Sequence, residues 1–323
     1  MDKNKKLKMG IMGCADIAKR LVIPNLIASK KFEIAAIASR SLSKAQEMTN
    51  KFGGKPVEGY QQLLDLQEID CVYIPLPTGL HHEWIIKSLK AGKHVFSEKS
   101  IALNSSEVRE IIDLAKTNKL CVFENFMFPY HTQIEFVKEK IEQGMIGELR
   151  LLRSLFGFPV FNKKDNIRYK KDLGGGALLD CGAYALMAAQ TFLGKKQKVL
   201  SSSLNSAENE VDFHGSITLL NENNIISQLS FGFDNYYQNN IELWGSSGKI
   251  IIHRAFTAGP NHIPEISIEK QGVKSTFSLP SDNHFLKIID EFYFSILNNY
   301  SSKYDEILNQ SILLTNAYNL AHK

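Results

Sequence analysis

Short apolar runs alternate with longer stretches of helical period through residues 7–125. The runs read as strands and the periodic stretches as amphipathic helices. A first strand around Met9–Met12 enters a helix over 17–30, whose apolar positions are Ile17, Leu21, Val22, Leu26 and Ile27. Pro24 is expected to kink or break that helix. Strands follow at 32–38, 69–76, 94–97 and 120–125, with helices at 41–52, from His81 (buried stripe Trp84, Ile85, Leu89), and at 104–118. Ser41 and Asn104 or Ser105 are placed to cap their helices. Near-continuous apolar strands separated by helices predict a doubly wound parallel sheet.

Beyond residue 125 the period changes. An amphipathic helix over 131–143 is followed by segments at 148–158, 198–206, 213–221, 224–233, 240–244, 249–253, 265–270 and 273–279, many alternating apolar and polar residues. Turn residues such as Asn221-Glu222-Asn223-Asn224 and Gly245-Ser246-Ser247-Gly248 separate several of them. This reads as an antiparallel sheet built of hairpins, with one face left exposed or paired with another subunit. Helices over 282–299 and 304–321 end the chain. The pattern predicts an α/β domain over 1–125 and an α+β domain with a large, open, mainly antiparallel sheet over 126–323.

The first strand–helix junction reads Gly10-Ile11-Met12-Gly13-Cys14-Ala15-Asp16-Ile17-Ala18. Small residues there let a backbone approach a pyrophosphate, and the helix start offers free N–H groups. In the fingerprint frame G-x-G-x-x-G/A, Ala15 stands in place of the second glycine. A cofactor set of Gly10, Gly13, Cys14, Ala15, Asp16 and Ile17 follows. The second strand ends in Ser39-Arg40, where an NAD-preferring fold carries an acid on the ribose hydroxyls. A hydroxyl and a guanidinium suit a 2′-phosphate instead, so NADP(H) is favoured over NAD(H). A plain surface arginine is the alternative.

Strand carboxyl ends face the ligand crevice of such a sheet. That places Pro75-Leu76-Pro77-Thr78, His81, Glu98-Lys99 and Asn125 beside the cofactor. A lysine at a buried strand end is costly without a task. In the second half, Gly174-Gly175-Gly176 precede a helix carrying Asp180 and Tyr184 at i, i+4, on one side. The glycines suggest close packing against a ligand or the cofactor domain.

The 323 residues allow two domains, and the net charge of +4 is modest. The basic cluster Lys3, Lys5, Lys6, Lys8 reads as a solvated terminus rather than a nucleic-acid arm. Cys14, Cys71, Cys121 and Cys181 form no C-x-x-C pair and read as buried thiols of a reducing compartment. No signal peptide, membrane-spanning apolar run, metal-ligand spacing or repeat is evident, which points to a cytoplasmic protein without a metal.

Together Gly10-x-x-Gly13-x-Ala15, Ser39-Arg40, Pro75-x-Pro77, Glu98-Lys99 and Gly174-Gly175-Gly176-x-Leu178-x-Asp180-x-Gly182-x-Tyr184 resemble the glucose–fructose oxidoreductase / inositol dehydrogenase / rhizopine catabolism family over nearly the whole chain. The resemblance implies a Rossmann domain followed by an open sheet that often joins subunits. It carries the family's E-K lysine onto Lys99 and its catalytic pair onto Asp180 and Tyr184. Inositol dehydrogenase-like members have histidine where Tyr184 stands; tyrosine is similar to dihydrodiol dehydrogenases, glucose–fructose oxidoreductases and sugar-nucleotide ketoreductases. The turn and Pro75-Leu76-Pro77-Thr78 look most like ketoreductases of dTDP-linked deoxysugars. Ser100 replaces the usual proline, and Pro129 a usual basic residue.

The resemblance implies hydride transfer to a sugar ketone. Tyr184 is then the proton donor, with Lys99 stabilising the phenolate and the developing alkoxide. Asp180 orients the sugar or Lys99. Glu98 and Pro77 meet the nicotinamide ribose side, and Arg168 with Tyr169 meets substrate phosphates or cofactor. The substrate expected is a nucleotide-linked sugar, with no nucleic acid or membrane partner, in a homo-oligomer joined through the open sheet face. An NADP-dependent dehydrogenase of a free sugar, polyol or dihydrodiol, and a non-catalytic NADP(H)-binding redox sensor, are the alternatives.

Overall fold

The computed structural model describes residues 6–160, 166–206, 210–298 and 303–323. Lys3, Lys5 and residue 299, the end of one expected helix, lie outside the described residues. The chain divides into two compact units, one comprising the part up to Asn125 with Phe285–Leu308, the other Phe126–His284 with Asn309–Lys323.

In the first unit, β1 (Leu7–Met12), β2 (Phe32–Ser39), β3 (Lys55–Glu58), β4 (Cys71–Ile74), β5 (His94–Ser97) and β6 (Val122–Glu124) form a parallel sheet in the order β3-β2-β1-β4-β5-β6. That is the order of the Rossmann fold. The helices are α1 (Ile23–Ala28), α2 (Leu42–Phe52), α3 (Tyr60–Leu64), α4 (His81–Lys90) and α5 (Ser105–Asn118). Val72, Ile74, Val95 and Val122 of the sheet share one core cluster with Ile85, Leu89, Val108 and Ile111.

Pro24 does not break its helix. A π turn over Ala18–Val22 precedes it, the Ile23 N–H reaches back to the Ala18 carbonyl, and Pro24 falls in the first turn of α1, where a missing N–H costs least. The Asn25 amide serves the Leu21 carbonyl at 2.9 Å. Asn104 caps α5 by accepting from Ser106 and Glu107 N–H groups. Ser41 stands at the start of α2 without capping it, its hydroxyl meeting Ser43 instead.

The C-terminal helices were expected in the second domain. Most of α8 (His284–Leu297) belongs instead to the first unit. Its fully buried Phe292 stacks on Phe32 and packs against Phe96 and Phe123, with centroids 5.3–6.1 Å apart. Lys31 pairs with Asp290 at 2.7 Å, and the Tyr304 hydroxyl donates to the Leu120 carbonyl. The apolar stripe of α8 is thus answered by the aromatic residues of β2, β5 and β6.

The second unit opens with α6 (Thr132–Glu142). Its sheet comprises β7 (Leu149–Gly157), β8 (Gln197–Asn205), β9 (His214–Asn221), β10 (Ile226–Gly232), β11 (Gln238–Gly245), β12 (Gly248–Ile252), β13 (Glu265–Lys270) and β14 (Val273–Ser278), in the order β14-β13-β12-β11-β7-β10-β9-β8. Every pair is antiparallel except β7 with β10, which is parallel. The inner face, carrying Leu152, Phe156, Leu229, Phe231, Ile241 and Leu243, is buried, and β7 and β10 meet α7 (Ala183–Leu193). The stretch Lys171–Leu193 is long and apolar enough to cross a membrane by composition, yet 78% of its apolar window is buried within the protein. Part of α9 (Tyr304–Ala321) completes this unit, where Gln310 donates to the Ala183 carbonyl at 2.7 Å.

Candidate active site

The expected cofactor residues of the first unit lie at the carboxyl ends of its strands. Gly13 follows β1 with φ +120°, a conformation that favours glycine, and its N–H bonds the Ala38 carbonyl at 2.8 Å. A side chain there would meet Leu76 at 3.0 Å, so the turn and the Pro75–Leu76 segment lie against each other. Gly10 uses its bareness differently. A Cβ on it would lie 2.9 Å from Ile69 and 3.3 Å from Leu63, so its bareness serves packing within β1. Cys14 and Ala15 are half-buried beyond the turn, Ile17 is half-buried in the helix start, and Asp16 is exposed and paired with Arg20.

A pocket of about 270 Å³ is lined by Cys14, Ser39, Arg40, Ser41, Lys44 and Tyr60. Two cations and three hydroxyls converge there without a carboxylate among the lining residues. This is the chemistry a 2′-phosphate requires. The turn and this pocket therefore fit an NADP cofactor. Lys44 and Tyr60 were not singled out by sequence reasoning. Lys44 sits on α2 one turn beyond Arg40, and that spacing could have found it. Burial raises the Tyr60 phenol above its ordinary range, against the opposing pull of Arg40. Burial likewise raises the Cys14 thiol.

The ends of β4, β5 and β6 hold a buried polar cluster. Glu98 accepts from the Tyr73 hydroxyl at 2.6 Å and from the Asn125 amide at 2.7 Å. Burial raises its carboxyl above the usual range, although both donors and Lys99 oppose the shift. The Asn125 oxygen is buried and has no hydrogen-bond partner among the described residues. An orphaned acceptor there suits the carboxamide of a nicotinamide. Glu124, which sequence reasoning passed over, accepts from the Ile101 N–H at 2.9 Å, and burial, with Glu306 and Glu98 nearby, pushes its carboxyl up to about 8.

His81 was expected to touch the cofactor. Its ring is fully buried and its nitrogens lie 2.8 Å from the Ser100 carbonyl and 2.7 Å from the Leu76 carbonyl. It therefore ties the Lys99–Ser100 segment to the Pro75–Pro77 segment. Burial lowers its pKa to about 4. The ring is neutral near pH 7 and donates from one nitrogen. Where the usual proline is replaced by Ser100, the Lys99–Ser100 peptide is cis.

The second unit carries the other expected groups. Tyr184 is 8% exposed, ringed by Phe126, Phe128, Phe156 and Phe256, with its hydroxyl 3.8 Å from the Met127 sulfur. Asp180 lies in a π turn over Leu178–Gly182 that leads into α7. Arg168 donates from Nε to Asp180 Oδ2 at 2.5 Å. Burial weakens the Arg168 charge, but Asp180 more than restores it and raises its pKa. Arg168, expected at phosphate or cofactor, thus has Asp180 as its partner, and Asp180 is held by a guanidinium rather than left for sugar hydroxyls alone.

The three glycines answer to this local arrangement. Gly174 has φ +73°. A Cβ on Gly175 would fall 2.4 Å from the Arg168 carbonyl oxygen, and one on Gly176 would fall 2.4 Å from Asp212 Oδ1. Asp212 in turn caps the helical turn, accepting from the Leu178 N–H at 2.6 Å. The glycines serve packing within their own unit, where sequence reasoning expected a ligand or the cofactor domain. Gly182 lies against the Phe231 ring, which a Cβ would meet at 3.0 Å. Among the described residues no group of His, Cys, Asp and Glu could hold a metal ion.

A Rossmann sheet with a phosphate pocket at the end of β2, and a half-buried Glu–Lys strand end, define an NAD(P)-dependent oxidoreductase. The chain belongs to the GFO/IDH/MocA family: residues 7–126 match its oxidoreductase NAD-binding Rossmann model and residues 134–251 a GFO/IDH/MocA C-terminal domain model. It is similar to dTDP-3,4-didehydro-2,6-dideoxy-alpha-D-glucose 3-reductase from Saccharopolyspora spinosa, with 39% identity over 89% of this chain and 87% of that protein. It is also similar to D-xylose 1-dehydrogenase (NADP(+)) 2 from Haloferax volcanii, at 30% identity over 86% of each. Among solved structures, a 3-ketoreductase from Actinomadura kijaniata in complex with NADP and TDP-benzene superposes with a TM-score of 0.95 at 37% identity, covering 98% of both chains.

Proposed function

We propose that this protein is an NADP(H)-dependent ketoreductase acting on a nucleotide-linked, dTDP-type deoxysugar. The observation that carries the reading is the likeness, along 98% of the chain, to a 3-ketoreductase solved with NADP and a TDP ligand. When bound, NADPH supplies a hydride to the ketone carbon. Ser39, Arg40 and Lys44 would hold its 2′-phosphate, and Asn125 its carboxamide.

The proton for the carbonyl oxygen comes from the Tyr184 phenol. An ordinary tyrosine has a pKa of ~10, so it is a competent donor near neutrality only if the phenolate left behind is stabilised. Lys99 supplies that positive charge and also meets the charge developing on the oxygen. The aromatic ring around Tyr184 excludes water from the transfer. Asp180, fixed by Arg168, orients the sugar.

The test is NADPH oxidation with dTDP-3,4-didehydro-2,6-dideoxyglucose, measured beside D-xylose and a trans-dihydrodiol with NADP. Turnover confined to the last two would replace the ketoreductase with a free-sugar or diol dehydrogenase, a second reading favoured by the Haloferax similarity. Cofactor binding without turnover on any of them would leave a redox sensor. Tyr184→Phe and Lys99→Ala should each lower turnover by at least ~100-fold. Near-normal rates in both would end the assignment.

The outer face of the large sheet presents Leu151, Leu155, Ile226, Trp244 and Ile251, with Trp244 51% exposed. Such a face supports a homo-oligomer joined through it. The Trp244→Glu variant should then reduce the mass seen by light scattering. Reduced thiols and a nucleotide-sugar substrate fit a cytoplasmic enzyme.

A further inference from the structure

Glu124 is a buried acid that the reaction above leaves unused. It ends β6, beside the end of β5 from which Lys99 departs, with Ser97 and Glu124 paired across the two strands. Only 8% of it is exposed. Oε1 accepts the Ile101 N–H at 2.9 Å, two residues beyond Lys99, while Oε2 is buried without a hydrogen-bond partner among the described residues. The charged and titratable groups facing it are Lys99, Glu98 and Glu306. Across the same segment, His81 meets the Ser100 carbonyl at 2.8 Å. The Ser100–Ile101 peptide is therefore held from two sides, by an imidazole at its carbonyl and a carboxyl at its N–H.

We propose that Glu124 is a positioning residue for Lys99, acting as an un-ionised acid that anchors the Lys99–Ile101 segment through the Ile101 N–H. The inference rests on the role given to Lys99 above. A buried carboxyl with one N–H donor and two other glutamates around it gains little by ionising. While neutral it fixes the backbone and leaves the ammonium to the substrate oxygen. Once ionised, it draws the Lys99 ammonium into an internal ion pair and away from the carbonyl. The loss of its proton then switches the site off with rising pH, in the region where burial has placed its titration, about 8.

The experiment compares wild type, Glu124→Gln, Glu124→Ala and Lys99→Ala across pH 6–10, using NADPH and dTDP-3,4-didehydro-2,6-dideoxyglucose. Gln copies the neutral acid and cannot ionise. Glu124→Gln should keep kcat within about threefold of wild type at pH 7 and move the alkaline fall upward by ~1 pH unit or more, to the limit set by the remaining groups. Glu124→Ala should lose roughly tenfold in kcat with little change in KM for NADPH, since the anchor goes but the phosphate pocket stays. A Glu124→Gln profile that falls at the same pH as wild type overturns the inference. Its failure is separable from that of the reaction itself, because in that case Lys99→Ala still abolishes turnover. Infrared difference spectra give a second readout independent of catalysis and of the Ala variant's folding. A protonated-carboxyl band at pH 7 in wild type that Glu124→Gln removes supports the inference, and an unchanged band overturns it.

Discussion

Discrimination between NADPH and NADH should rest on Arg40 and Lys44. Both are exposed and line the pocket at the end of β2 with Ser39 and Ser41. A hydrogen bond to a charged group contributes about 1.5–3 kcal/mol. Exposure and screening by salt favour the lower end. At about 1.4 kcal/mol per tenfold, Arg40→Ala should raise KM for NADPH by roughly tenfold, and the double replacement with Lys44→Ala by about 100-fold. NADH has no 2′-phosphate, so its KM should stay within about twofold. The assay is initial-rate kinetics with both nucleotides at fixed ketone concentration. Repeating it at low and high salt adds a check, because the NADPH advantage must shrink as ionic strength rises. An equal rise in KM for both nucleotides would refute the reasoning. It would mean that these residues support the adenosine or the fold rather than the phosphate.

Three further outcomes follow from the packing and the buried groups. Phe292→Ala removes a fully buried ring set among Phe32, Phe96 and Phe123, and should cost about 3–5 kcal/mol in denaturant unfolding; a loss under ~1 kcal/mol would place α8 outside that core. Gly176→Ala combines a backbone at φ +115° with a Cβ 2.4 Å from Asp212 Oδ1, so it should destabilise by ~2 kcal/mol or more, above the ~1 kcal/mol of Asp212→Ala, which loses only the cap. His81 binds its proton less readily folded, at about 4, than at its ordinary 6.5. The unfolded chain therefore takes up the extra proton, and the stability His81 contributes is present above pH 6.5 and is lost as pH falls towards 4. Thermal melts from pH 7 to 4 should show a smaller decline for His81→Gln than for wild type, and equal declines would reject this account.

The first sheet was legible because its strands are apolar along their length and its helices keep a clear period. What escaped notice there was short. β3 buries only Val57 fully between exposed Lys55 and Glu58, and α3 spans five residues, so neither leaves a periodic signal. In the second unit, hairpin reasoning pairs strands that are neighbours in sequence. The parallel partnership of β7 with β10 breaks that rule, since α7 and two strands intervene. Alternation along a strand reports which face is buried and says nothing of its partner. The placement of α8 was hidden for a similar reason: its apolar stripe could be read, but the Phe32, Phe96 and Phe123 surface that receives it is more than 160 residues away.

The site divides along the same line. Residue types able to carry chemistry could be picked out from the sequence, as with Ser39-Arg40, Glu98-Lys99 and Tyr184. The groups that fix those residues in place did not. His81 reads as a helix-surface histidine or a cofactor ligand, yet it joins two strand-end segments through backbone carbonyls, which have no sequence signature. The glycines read as room for a ligand, yet the room is taken by the Arg168 carbonyl and the Asp212 carboxylate. Arg168 and Asp180 are 12 residues apart and meet only because Gly175 lets the chain pass that carbonyl closely, with the Gly176 N–H bonding it at 2.9 Å. A bare backbone position reports that something approaches, not what approaches. A site of this kind is therefore half written in reactive side chains and half in the small residues that let a supporting backbone close around them.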